Sequence, residues 1–65
     1  MGTEKSLDDR IAAVKNYCKD NHVSLGLEFD PVSETWDAFD GEEQLTGPCA
    51  EFHELIEALE AEFAL

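Results

Sequence analysis

Val23, Leu25, Leu27 and Phe29 alternate strictly with Ser24, Gly26, Glu28 and Asp30. A period of two puts the apolar set on one face of a strand and the polar set on the other. Such a strand needs neighbouring strands for its backbone groups and a layer over its apolar side. The next residues supply the strands. Asp30-Pro31-Val32-Ser33 is turn chemistry, with proline pre-set at about φ −65°. Thr35-Trp36-Asp37-Ala38-Phe39 reads as a second strand, Asp40-Gly41 as a hairpin turn, and Glu42 to Thr46 as a short third strand at a charged edge. We place Trp36 inward and Asp37 outward, which leaves Phe39 to a bulge, the sheet rim or partial exposure.

The cover comes from two helical patterns. Leu7, Ile11, Val14 and Cys18 fall on one stripe and predict a helix over 6–20, with Ser6 and Asp9 at capping-box spacing. Asp20-Asn21 reads as its stop, with asparagine tolerating the left-handed conformation. Cys49, Phe52, Leu55, Ile56, Leu59 and Phe63 predict a second helix over 48–64. Gly47-Pro48 reads as its start, because proline fits a first helical turn, and Thr46 or Gly47 reads as the cap. The fold class is therefore α+β, in the order α-β-β-(β)-α: a small antiparallel sheet with two amphipathic helices packed on one face.

A chain of 65 residues is a single domain, 1–65, and buries only ~60% of its unfolded surface. Ordinary ligand sites occupy about 300–1,000 Å³, so there is little room for one, and we expect no cofactor and no catalysis. Hydrophobic residues make up 43%, more than an acidic tail carries, which favours a folded domain. A net charge of −12 argues against direct binding to nucleic acid or to an anionic membrane, since both require a basic surface. No apolar run approaches the ~20 residues of a membrane span. The start, Met1-Gly2-Thr3-Glu4-Lys5, lacks a secretory profile. Gly2 and Ser6 match myristoylation spacing, but no polybasic patch accompanies them. We expect a cytoplasmic protein.

Two cysteines are too few for a disulfide scaffold, and Cys18 and Cys49 read as small apolar side chains, with a bridge as the alternative. His53 and Glu57 lie four apart, as do Cys18 and His22, and Cys49 and His53. Two ligands fall short of the four that zinc takes, so no metal is expected. Phe39 occupies a position where a calcium loop would need an oxygen.

The distribution of charge carries the functional reading. All four bases, Lys5, Arg10, Lys15 and Lys19, precede Asp20, and the 46 residues from Asp20 onward hold thirteen acids and no lysine or arginine. Glu51, Glu54, Glu57 and Glu60 recur every three residues, where like charges repel by a few tenths of a kcal/mol per pair. Twelve net charges exceed the magnitude of about 2–8 that solubility asks of a small domain. We therefore expect a strongly basic partner, of the kind found in nucleic-acid-binding grooves. Candidate contacts are Glu28, Asp30, Glu34, Asp37, Asp40, Glu42 and Glu43 of the hairpin region and Glu54 and Glu57 of the second helix.

In length, charge and α-β-β-α layout the chain resembles the small acidic proteins of phages and mobile elements. Among these it is similar to anti-CRISPR proteins that mimic DNA, including inhibitors of type I Cascade complexes. That resemblance implies a non-enzymatic inhibitor, monomeric or weakly dimeric. Its partner would be a Cas subunit, held at the basic site that reads the PAM or holds the target duplex. A second resemblance covers Leu25 to Leu59, which looks like the N-terminal part of HicB-type antitoxins and implies a protein that covers a basic RNase toxin. A third reading is a small oligomeric adaptor that docks through Phe63-Ala64-Leu65.

Overall fold

The computed structural model describes residues 5–65. The Gly2 reading lies outside the described residues. Chain order runs α1 (Leu7–Asp20), β1 (Leu25–Asp30), β2 (Thr35–Asp40), β3 (Glu43–Cys49) and α2 (Phe52–Phe63). The strands form one antiparallel sheet in the order β1-β2-β3. This is the α+β arrangement that the hydrophobic periods predict.

α1 opens as its sequence indicates. The Ser6 hydroxyl accepts the Asp9 N–H at 3.2 Å, and Asp8 and Asp9 sit in the first turn, where the helix dipole favours acids. Its end needs a correction. Asn21 has φ −110 and caps with its side chain, donating from Nδ2 to the Tyr17 carbonyl at 2.9 Å. The left-handed residue is His22, at φ 56.

α2 begins later than the Gly47-Pro48 signal predicts. Those two residues belong to β3, which runs on until Cys49 pairs with Trp36. Proline has no N–H to donate, and an edge strand tolerates that as readily as a first helical turn does. Gly47 has φ 122; a Cβ there would strike the Asp37 carboxylate and lie 2.9 Å from the Trp36 carbonyl oxygen. The cap is Glu51, neither Thr46 nor Gly47, and the Glu54 carboxylate accepts the Glu51 N–H at 3.0 Å. At the far end Ala64 is left-handed, at φ 58, and the Leu65 N–H reaches the Glu60 carbonyl at 2.8 Å.

Opposite residues in an antiparallel pair share a face. Leu25, Leu27 and Phe29 stand opposite Asp40, Ala38 and Trp36, on the side of the helices. Leu55, Ile56 and Leu59 of α2 and Ala38 of β2 are at most 2% exposed. Each buried Leu or Ile contributes about 1.5–3 kcal/mol relative to exposure. Val14 and Cys18 of α1 complete this core, and Tyr17 stacks on Phe63 with ring centres 4.3 Å apart. Trp36 is inward as expected, edge-on to Phe52 at 5.2 Å and tilted against Phe29 at 5.1 Å.

The cover is uneven. α2 packs on β2 and β3, and α1 packs mainly on α2. The apolar side of β1 is thus only partly shielded: Leu27 is 38% and Phe29 is 47% exposed.

Candidate functional site

The outer face of the sheet is where the acids meet. The β1–β2 register puts Glu28 directly opposite Asp37 and Asp30 opposite Thr35. Directly opposed Cβ atoms lie about 4.5–5.5 Å apart and diagonal neighbours about 7–8 Å. Asp30 is thus the diagonal neighbour of Asp37. Three carboxylates form a triangle on one face with no cation among them. With Phe29, Pro31 and Phe39, they line an open concavity of about 310 Å³.

Local structure fixes each member. The Asp30 carboxylate accepts the Val32 N–H at 2.9 Å, while its own carbonyl accepts the Glu34 N–H at 2.7 Å. The first of these bonds holds the Asp30 carboxyl below its ordinary value, with Ser33 adding to the effect. Asp37 accepts the Gln44 Nε2–H at 3.1 Å, and Gly47 lets β3 pass close to it. Phe39 takes the half-buried outward place left open for it, at a shift in the β2–β3 register. It lines the same concavity as the three acids.

The other candidate acids lie elsewhere. Glu34 stands in the β1–β2 turn with φ 57, next to Asp30. Asp40 and Glu43 pair at the opposite end of the sheet, and the Asp40 carboxylate accepts the Ser24 N–H at 3.0 Å. Asp40 therefore ties down the start of β1. Glu42 is exposed in the β2–β3 turn. Glu54 is used in capping α2, and Glu57 is exposed on that helix within the field of Arg10. The nine acids thus divide among the outer face (Glu28, Asp30, Asp37), the turns (Glu34, Glu42), the far end of the sheet (Asp40, Glu43) and α2 (Glu54, Glu57).

One pairing was not apparent from the linear sequence. Arg10 of α1 holds Glu60 of α2 through Nε–Oε2 at 3.0 Å and Nη2–Oε1 at 2.6 Å. That hydrogen-bonded pair lowers the Glu60 carboxyl and raises the Arg10 guanidinium. It also offsets one of the thirteen acids, and it is the only ion pair among the described residues. Among the described residues, none of the other twelve has such a partner.

Both thiols are free, and burial pushes both upward, with Asp40 near Cys18, and Glu54 and Asp37 near Cys49, adding to the shift. Among the described residues no three His, Cys, Asp or Glu side chains are grouped to hold a metal. No helix among them is long and apolar enough to cross a membrane. Phe63 is buried against Tyr17, so of the terminal apolar run only Ala64 and Leu65 are exposed. No family model matches the chain, and no curated protein or solved structure does so either.

Proposed function

We propose that this chain is a non-enzymatic binding protein that occupies a basic nucleic-acid-binding surface of another protein, as a mimic of DNA. The subunit of a type I CRISPR complex that reads the PAM or holds the duplex is the favoured target. The supporting observation is Glu28 set directly opposite Asp37, with Asp30 two residues along from Glu28 and diagonal to Asp37, and no cation among the three. Like charges directly opposed in a sheet reduce stability. Lysine or threonine at any one of these positions would remove that cost. A basic partner offsets it on binding, and a fixed array of carboxylates steers that partner and excludes its nucleic acid.

The shape is consistent with this use. The concavity is lined by carboxylates and by the Phe39 ring. An arginine or lysine entering it meets anions and an aromatic face together. All four bases lie in or before α1, on the other side of the sheet.

The test is a pull-down from a lysate of CRISPR-bearing cells at low and high salt, followed by elution with duplex DNA. The proposal expects a basic nucleoprotein subunit, captured at low salt, released at high salt and displaced by DNA. Capture that survives high salt and ignores DNA would instead support an apolar adaptor.

A further inference from the structure

The two edges of the sheet differ. β3 carries Pro48 and two shifts of register, devices that deter pairing with another strand. β1 has neither: its six residues, Leu25–Asp30, pair with β2 in unbroken register and include no proline or lysine. No described residue pairs with its other side.

The available backbone groups can be assigned. The Gly41 N–H donates to the Ser24 carbonyl at 3.1 Å, which marks Ser24 and Gly41 as a hydrogen-bonded pair. Such pairs alternate along an antiparallel ladder. Leu25, Leu27 and Phe29 therefore turn their N–H and C=O groups away from β2, towards open space. The side chains of the last two are 38% and 47% exposed on the helix side of the sheet. On the other side stand Glu28 and Asp30, with Gly26 leaving nothing in the way.

We infer that the open edge of β1 accepts an extended segment of a basic partner as a fourth strand. The charge and the apolar strip select the pattern of that segment. Residues flanking Glu28 and Asp30 are lysine or arginine, and residues flanking Leu27 and Phe29 are apolar, so basic and apolar side chains alternate. A second copy of this chain is the wrong occupant. Self-pairing along β1 brings acids against acids and joins two chains of charge −12. The acids thus block self-association of an otherwise open edge while selecting a cation-bearing strand. The inference draws the sign of the partner from the acidic-surface proposal; the strand geometry stands apart from it.

The probe is a nine-residue peptide alternating lysine with valine, long enough to span β1. The control has the same composition with its lysines in one block. Amide exchange is followed by NMR on the native chain at low salt. The inference expects the alternating peptide to bind at least about tenfold more tightly than the block peptide and to slow exchange at the Leu27 and Phe29 N–H groups by about tenfold or more. Leu27→Ser, at a partly exposed position, should weaken the alternating peptide without loss of the fold by circular dichroism. Equal binding of both peptides, or binding that leaves Leu27 and Phe29 unprotected, would overturn strand addition while keeping the acidic-surface proposal. No binding of either peptide would count against both. Protection of Leu27 and Phe29 without peptide, rising with protein concentration, would assign the edge to a second copy and overturn the inference.

Discussion

The two faces of β2 obey different rules. Inward, Ala38 is fully covered beneath α2, and Trp36 meets aromatic rings on both sides. Outward, Asp37 stands opposite Glu28, and Phe39 is left half-covered beside them. The inward Trp36 and Ala38 improve packing, whereas the outward Asp37 opposes a like charge where a neutral or cationic residue would serve the fold better. Residues adjacent in sequence and fixed by the same backbone thus meet separate demands. The inner face is accounted for by stability alone and the outer face is not.

The sharpest break between the faces comes from truncating the inner one. Leu55→Ala removes a fully buried side chain and should cost about 2–5 kcal/mol. For a domain this small that is most of its stability, so the variant should be largely unfolded by circular dichroism at 37 °C. By contrast, reversing Glu28, Asp30 and Asp37 together to lysine should leave helix and strand signals intact. It should weaken the captured partner by about 100-fold or more, roughly 3 kcal/mol, in a calorimetric titration. Reversing Glu54 and Glu57 instead should weaken binding far less; an equal loss would move the binding face to α2.

Smaller effects refine the fold side of the comparison. Ser6→Ala removes the α1 cap and should cost about 1 kcal/mol in urea unfolding. The Arg10–Glu60 pair sets a pH dependence of definite sign. Glu60 is lowered from its ordinary 4.5, so the folded state binds its proton less readily than the unfolded state does. The resulting stability is complete above about pH 4.5 and disappears as pH falls through the lowered value. Melting curves of the native chain and Arg10→Met should therefore differ at pH 7 and converge as pH falls through the lowered Glu60 value.

Much of the fold is legible in short stretches of sequence, because helix stripes and strand alternation are local signals. Gly47-Pro48 shows where that fails. Proline suits the first turn of a helix and an exposed strand edge equally, and only the distant pairing of Trp36 with Cys49 decides between them. The role of Tyr17 has no local signal for a similar reason, since its partner, Phe63, is distant in the chain. The excess of acids was evident from composition, but their grouping was not. The four-residue turn between β1 and β2 sets the register, and the register decides that Glu28 meets Asp37 while Asp40 is spent on Ser24.

The central claim is that the outer face gives up stability for binding, and Glu28→Gln tests it most directly. The change keeps the shape of the side chain and removes one of two opposed charges. Melting temperature and partner affinity are measured on the same sample. A trade of stability for binding predicts a gain of about 0.2–1 kcal/mol, or about 1–8 °C, together with weaker binding. A variant that melts lower than the native chain, or that binds its partner as tightly, would contradict it.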